Sequence, residues 1–149
     1  MSDDALFPDS GTDLGRRIDE RLRDDRVLWL TVVAPSGTPQ PTPVWFVRSG
    51  DDIVVYNDRH AKRLDWMEKN PRVALHLNSD GDGGDFVVLT GRAEIREDVP
   101  GPDESPGYLA KYGDEMTRIM GSPGAFAQQY SVAAVIHVDH VRGAAPEPA

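Results

Sequence analysis

The chain has 149 residues, a net charge of −9 and no cysteine. A domain of this length can bury a core without metal or disulfide support, and the lack of thiols excludes disulfide scaffolds, thiolate metal sites and cysteine nucleophiles. The negative charge disfavours nucleic acids and anionic membrane surfaces as partners, so an anion site needs a local concentration of cations. Along the sequence, only residues 57–73 offer one.

The ends of the sequence carry no targeting or membrane signal. The N-terminal stretch lacks the apolar region of a signal peptide, and no apolar run approaches the roughly 20 residues that span a bilayer. A cytoplasmic protein is therefore predicted. We expect residues 1–11 to form a disordered tail, residues 12–143 to form one domain and residues 144–149 to form a C-terminal tail.

The predicted elements are one early helix, a series of strands and three later helical pieces. Leucine and isoleucine recur at four-residue spacing from Asp13 to about Asp25, which predicts the first helix. Strands are predicted at 27–33, 43–47, 52–57, 72–78, 85–97 and 131–141. Further helices are expected directly after the third strand, at 108–120 and at 124–130. Six strands with short connections indicate a mainly β fold with flanking helices, arranged as a small antiparallel barrel.

The helix after the third strand has an unusual charge order. Four cationic side chains crowd its predicted first turn: Arg59, His60, Lys62 and Arg63. An isolated helix prefers acids at this end, because its first N–H groups are unpaired and carry partial positive charge. With Asn57 or Asp58 as the cap, Lys62 and Arg63 would lie beside free N–H groups, which favours a phosphate site. A solvated surface helix is the alternative.

The segment PTPVWF, residues 41–46, forms the second candidate site. Prolines cannot donate to a strand ladder, so we expect an irregular start to this strand. Backbone groups that leave the ladder could then contact a flat heteroaromatic ring. The simpler interpretation is an ordinary edge strand that places Val44 and Phe46 in the core.

Metal binding is not predicted. His137 and Asp139 would share one face of the last strand while His140 lies on the other, which disfavours convergent ligands. The acidic, glycine-rich residues 79–85 lack the spacing of a calcium loop and predict a flexible hairpin loop.

Four stretches in this order carry a family resemblance: LWLTVVAPSGTPQPTPVWFV, IVVYNDRHAKRLDWMEKNPRVALHL, VVLTGRAEI and YSVAAVIHVDHVRG. They resemble the flavin-binding split β-barrel superfamily of pyridoxamine 5′-phosphate oxidase-like proteins. Within it, the chain is most similar to small actinobacterial enzymes that use the deazaflavin coenzyme F-420. The resemblance covers about residues 14–143 and implies a six-stranded antiparallel split β-barrel, the FMN-binding split barrel, with flanking helices.

Seven positions match cofactor-binding positions of that family. They are Pro43, Val44, Trp45, Tyr56, Asn57, Lys62 and Arg63. The resemblance implies that the basic pair grips the cofactor phosphate, that the first three residues lie along the ring system and that the other two border the cofactor. Family members are homodimers with cofactor sites in the subunit interface, so a homodimer is expected in which the partner completes each pocket.

Two departures from the family pattern shape the functional expectation. Where true oxidases carry R-x-V-L-L-K, this chain has Pro41 and Phe46 in place of the two cations, and the oxidase C-terminal substrate motif is missing. Vitamin B6 oxidation is therefore not expected. The PVWF stretch favours an F-420-dependent oxidoreductase that transfers a hydride to a small organic acceptor, with no catalytic side chain assigned. The alternatives are an FMN-dependent oxidoreductase and a non-enzymatic flavin-, deazaflavin- or haem-binding protein.

Overall fold

A computed structural model describes residues 5–146, which form four helices and seven strands. The helices are α1 (Asp13–Asp24), α2 (Lys62–Lys69), α3 (Pro106–Met120) and α4 (Pro123–Gln129). The strands are β1 (Leu28–Val33), β2 (Pro39–Val44), β3 (Val47–Ser49), β4 (Asp52–Asn57), β5 (Arg72–His76), β6 (Val87–Arg96) and β7 (Val132–Gly143).

The strands form one antiparallel sheet in the order β2-β1-β5-β6-β7-β4-β3. The two strands at opposite ends of this order, β2 and β3, are separated by only Trp45 and Phe46. Because consecutive Cα atoms are about 3.8 Å apart, the two edges of the sheet must meet, and the sheet closes into a barrel. The predicted mainly β split barrel with flanking helices is confirmed, with seven strands where six were expected.

The additional strand arises because the predicted strand 43–47 is interrupted. Pairing with β1 ends at Val44, and pairing with β4 begins at Val47. Phe46 between them is fully buried, and the Tyr112 hydroxyl bonds both its N–H and its C=O at 3.0 Å. A side chain of α3 thus replaces the missing ladder partner where the chain crosses from one sheet edge to the other.

The prolines do not disturb β2, so the expectation of an irregular start was wrong. The strand begins at Pro39 and pairs with β1 without a register shift through Val44. Since proline has no N–H, the ladder bonds must fall on the alternate residues, and Pro39, Pro41 and Pro43 face the free edge. At that edge the prolines present carbonyl oxygens as acceptors but have no N–H groups to donate. The missing donors disfavour pairing of a further strand with β2.

Two apolar clusters lie on opposite sides of the sheet. The barrel interior is built from alternate strand residues, including Leu30, Ile53, Leu75, Leu89 and Ile136, together with Phe46 from the crossing, and all of these are 0–1% exposed. Outside the barrel, α3 and α4 pack on β4 and β7 through an aromatic cluster of Trp45, Tyr56, Tyr108, Tyr112, Phe126 and Tyr130. These clusters together hold the crossing between β2 and β3 from both sides.

Helix α1 confirms its prediction and anchors the loop that connects β5 with β6. Its Ile18 and Leu22 are buried, as the spacing indicated. Its Arg17 donates two hydrogen bonds to the carboxylate of Asp85, at 2.8 and 2.6 Å, and Arg21 donates to the Asp85 carbonyl. The hydrogen bonds from Arg17 hold the pKa of Asp85 below its ordinary value. The predicted hairpin loop is present, but its last residue is buried and fixed to α1.

The described part of the predicted N-terminal tail contributes to the core. Phe7 is buried, and the Arg48 guanidinium lies 3.8 Å from the centroid of its ring. Residues 1–4 and 147–149, the rest of the predicted tails, lie outside the described residues. Within the part of the chain that the structure describes, every helix is too short or too polar to cross a membrane.

Candidate anion-binding site at the start of helix α2

Helix α2 starts at Lys62 with Ala61 as its N-cap, so the prediction of Asn57 or Asp58 as the cap was wrong. The Asp58 carboxylate instead accepts a hydrogen bond from the backbone N–H two residues later, at 2.8 Å, and closes a turn before the helix. Two of the predicted first-turn cations, residues 59–60, lie in this turn. No side chain caps the helix among the described residues. Its first N–H groups remain available to a ligand.

The Arg63 side chain is aimed by a buried asparagine. Asn57 is 0% exposed, and its amide nitrogen donates to the carbonyls of Val55 at 3.0 Å and Val132 at 3.1 Å. Its amide oxygen accepts a hydrogen bond from Arg63 Nε at 2.7 Å. The bonds to β4 and β7 fix the amide, and the amide in turn fixes the guanidinium. Asn57 and Arg63, each predicted separately as a cofactor-binding residue, thus lie in direct contact, and their contact with a cofactor stays a prediction.

The charge of Arg63 has no acidic partner among residues 5–146. The side chain is half-buried, and burial lowers its pKa while Tyr130 opposes that shift. A half-buried guanidinium without a counter-ion is unfavourable, because desolvation of the charge is not offset by an ion pair. Its remaining nitrogens form a planar fork that suits two oxygens of a phosphate or carboxylate. These features fit an anionic ligand.

Lys62 shares the first turn of α2 with Arg63 but not its anchoring. Its side chain is exposed, and no hydrogen bond or ion pair holds it among the described residues. The two cations therefore differ in kind: Arg63 is preorganised, whereas Lys62 can swing toward a bound anion. From the sequence they were predicted to act as an equivalent pair, because the hydrogen bonds that join Arg63 to Asn57 and Asn57 to Val132 of β7 have no local sequence signal.

The three predicted ring-contacting residues point in different directions. Pro43 is exposed at the free edge of β2, and Val44 is buried in the barrel core. The Trp45 ring stacks on Tyr112 with centroids 4.6 Å apart and on Phe126 at 5.4 Å. Its indole thus packs against α3 and α4. Among these three residues, Pro43 is the one exposed at the free edge of β2, and contact of any of them with a ring system stays a prediction.

Tyr56 is engaged by the protein. Its hydroxyl donates to the carbonyl of Pro100 at 2.6 Å, and its ring meets that of Tyr108 edge-on with centroids 4.8 Å apart. Burial raises the pKa of Tyr56. Successive strand residues point to opposite faces, so Tyr56 packs in the aromatic cluster while Asn57 faces Arg63. Tyr56 thus packs on the α3 side of β4, opposite to Asn57.

A cleft of about 860 Å³ opens beside the turn that precedes α2. Asp58, Arg59 and His60 form one wall, and α4 forms part of the other. The side-chain amide of Gln129 on α4 donates to the Asp58 carboxylate at 3.2 Å. The turn that precedes α2 therefore borders open space large enough for a small ligand, whereas Lys62 and Arg63 are not among the lining residues.

His137 takes part in a surface ion-pair arrangement. Its Nδ1 lies 3.0 Å from Asp52 and its Nε2 lies 3.2 Å from Glu94. A neutral imidazole has only one N–H, so two carboxylates on two nitrogens favour the protonated form. The hydrogen bond to Glu94, with help from Asp52, raises the pKa of His137 against the opposing effect of burial. The carboxylates flank the ring on separate nitrogens, which is an ion-pair geometry.

The expectation that only one segment concentrates cations was wrong, because folding brings cations from separate segments together. Side chains from the end of α1, the connection between α1 and β1, β3 and α3 bring four cations to a second cleft: Arg23, Arg26, Arg48 and Lys111. They come from three separate regions of the chain, so no local sequence signal marks this cleft.

The family assignment follows from the sequence model described as pyridoxamine 5′-phosphate oxidase, which matches residues 14–143. The chain belongs to the pyridoxamine 5′-phosphate oxidase family. The predicted superfamily is thus confirmed over the predicted range, and it is a family of flavin-binding split barrels. No curated protein matches this family member.

Solved structures share the fold of this family member at low sequence identity. General Stress Protein 26 from Bacillus anthracis str. Sterne is 22% identical, with a TM-score of 0.68 over 91% of this chain and 97% of that one. An F420 reductase is 21% identical, with a TM-score of 0.63 over 83% and 94%. A conserved hypothetical protein from Mycobacterium tuberculosis is 17% identical, with a TM-score of 0.63 over 100% and 96%. These likenesses show the fold.

Proposed function

We propose that the protein is an oxidoreductase that binds the deazaflavin coenzyme F-420 and places the phosphate of the coenzyme on Arg63. The observation that carries the proposal is the guanidinium of Arg63, held by the buried Asn57 and without a carboxylate partner among residues 5–146. The uncapped start of α2 and the exposed charge of Lys62 add further attraction for an anion.

In this proposal, the residues of the chain bind and orient the coenzyme. Asn57 fixes the direction of the Arg63 fork, so little side-chain freedom is lost when an anion docks. The aromatic cluster holds the crossing at Trp45 rigid, and with it the free edge of β2, along which the ring system is proposed to lie. When bound, the coenzyme supplies hydride transfer to a small organic acceptor.

The choice of F-420 over FMN rests on the β2 edge. The cations of the true oxidases are replaced by Pro41 and Phe46, and Phe46 is committed to the core. The similarity to a structure named F420 reductase supports the same choice. FMN-dependent oxidation–reduction is the second candidate, because the family binds flavins and a phosphate grip serves either cofactor.

We further propose a homodimer in which a second chain covers the β2 edge. Pro43 is exposed there, and one chain supplies only one wall for a planar ring. A cofactor ring bound to a single edge would stay in water, whereas a partner chain would exclude water from the reacting atoms.

The experiment is a fluorescence titration of the purified protein with F-420, FMN and riboflavin, which lacks the phosphate. We expect F-420 to bind most tightly and riboflavin to bind weakly. Arg63→Ala should weaken F-420 binding by about 10- to 150-fold, the equivalent of roughly 1.5–3 kcal/mol for one charge-assisted contact. The double variant with Lys62→Ala should lose at least about a hundredfold. Riboflavin affinity should not change.

Lys69→Ala is the control, because it removes one positive charge from the exposed last turn of α2, away from the candidate site. It should leave F-420 affinity within about threefold of wild type, as expected for a screened surface charge. Equal losses in Lys69→Ala and Arg63→Ala would mean that net charge alone attracts the coenzyme. Unchanged affinity in Arg63→Ala for both F-420 and FMN would refute the phosphate assignment.

A further inference from the structure

A second cleft, of about 560 Å³, lies between the end of α1, β3 and α3. Its charged lining comprises four cations and two acids: Arg23, Arg26, Arg48, Lys111, Asp19 and Asp24. This local excess of positive charge stands out in a chain whose net charge is −9. The cleft is distinct from the α2 site, since it is lined by different elements.

Every arginine of this cleft already has a carboxylate partner: Arg48–Asp19 at 2.7 Å, Arg23–Asp24 at 2.8 Å and Arg26–Glu115 at 3.3 Å. Lys111 differs, because no ion pair joins it to a carboxylate among residues 5–146. Its Nζ donates to the carbonyl of Leu22, in the last turn of α1, at 3.2 Å and lies 3.7 Å from the ring centroid of Phe46. The amine therefore lies between an apolar wall and the open cleft.

The surroundings of Lys111 favour its neutral form more than water does. Burial lowers its pKa to about 8, Arg26 acts in the same direction, and the nearby Asp25 and Asp24 oppose them. At pH 7 about a tenth of such amines are neutral, compared with well under a thousandth of ordinary lysines. The neutral amine is the nucleophilic form, and a desolvated lysine beside other cations is the arrangement that activates it.

We propose that Lys111 is a reactive amine that forms reversible imines with small carbonyl compounds bearing a carboxylate, such as 2-oxo acids. The Nζ lone pair attacks the carbonyl carbon and a C=N bond replaces C=O. The two protons of the neutral amine leave with the carbonyl oxygen as water, so the step requires no oxidant or reductant. Cations around the cleft attract the carboxylate of the ligand, and the Phe46 ring shields the amine from bulk water.

The test is reductive trapping of wild-type protein with glyoxylate and cyanoborohydride at pH 7, followed by peptide mass spectrometry. The chain contains three lysines, Lys62, Lys69 and Lys111. Lys69 is exposed, lies outside both candidate sites and is the internal control, whereas Lys62 adjoins the Arg63 site. Peptide mapping also separates Lys111 from the α-amino group. We expect Lys111 to be labelled at least about tenfold faster than Lys69, because its larger neutral fraction outweighs its lower basicity. Labelling at an equal or slower rate would overturn the proposal.

A second arm tests the anionic part of the ligand. With acetaldehyde, which has no carboxylate, the preference for Lys111 over Lys69 should fall. Arg26→Ala, at an exposed position, raises the pKa of Lys111 and should slow labelling by both compounds. The loss should be larger with glyoxylate, because this variant also removes a cation that attracts the carboxylate. The same preference with both carbonyl compounds, in wild type and in Arg26→Ala, would show that the cleft does not select anions.

Discussion

The hydroxyl of Tyr112 is the best place to test how the barrel closes. It accepts a hydrogen bond from the Phe46 N–H at 3.0 Å, and its single proton is shared between the carbonyls of Arg26 at 2.7 Å and Phe46 at 3.0 Å. Burial raises the pKa of Tyr112 to about 12, so the hydroxyl keeps its proton across the neutral range. One oxygen atom thus joins the crossing between β2 and β3 to the chain between α1 and β1.

Tyr112→Phe removes this oxygen and keeps the ring that stacks on Trp45. A buried N–H loses its acceptor, at a cost of about 1–3 kcal/mol, and the carbonyls lose a donor worth about 1 kcal/mol. We expect the free energy of unfolding to fall by roughly 2–4 kcal/mol. For a chain of this size, that change lowers the melting temperature by roughly 5–15 °C.

Tyr108→Phe is the matched control. Tyr108 is equally buried, one turn earlier on α3, but its hydroxyl makes no hydrogen bond among residues 5–146. Urea titrations of both variants give the free energies, and we expect the control to stay within about 0.5 kcal/mol of wild type. If both variants lost the same stability, or if Tyr112→Phe lost none, the hydroxyl would not be holding the crossing.

Three further predictions concern ion pairs and the candidate site. Asp85→Ala should cost about 3 kcal/mol, because it leaves the arginines of α1 without their buried partner, while Asp82→Ala in the same loop should cost almost nothing; urea titration compares them. The folded-state pKa of Asp85 lies below its ordinary value of 3.8, so the carboxylate stabilises the fold at pH values above 3.8. This stabilisation should disappear as the pH falls through the folded-state pKa, and Asp85→Ala should show no such loss. The pKa of His137 measured by NMR should exceed 6.5. The contribution of His137 to the free energy of unfolding is then complete below pH 6.5 and is lost as the pH rises through the folded-state pKa. A pKa at or below 6.5 would contradict the double ion pair. Asn57→Ala should weaken F-420 binding by about tenfold in fluorescence titrations, because Arg63 loses its orientation, and an unchanged affinity would remove Asn57 from the site.

Periodicity in the sequence was enough to predict most of the fold. Helix α1 and strands β1, β4, β5, β6 and β7 lie within one or a few residues of their predicted positions, because each carries its own spacing of apolar residues. The crossing between β2 and β3 could not be predicted in this way. It depends on the Tyr112 hydroxyl, which belongs to a helix more than sixty residues later.

The candidate site could be predicted only in part, because it too depends on contacts between residues far apart in the sequence. Lys62 and Arg63 could be singled out from their charge and their place after a strand. Their difference depends on Asn57, which is fixed by the carbonyl of Val132 on the last strand. The cleft around Lys111 had no sequence signal, since its cations become neighbours only when α1, the connection that follows it, β3 and α3 pack together.

A crystal structure of the protein with F-420 bound tests the central claim most directly. The account predicts phosphate oxygens within hydrogen-bond distance, about 3 Å, of the Arg63 guanidinium, with the Asn57–Arg63 bond intact and the ring along the free edge of β2. A bound coenzyme whose phosphate lies elsewhere, with Arg63 still unpaired, would contradict it.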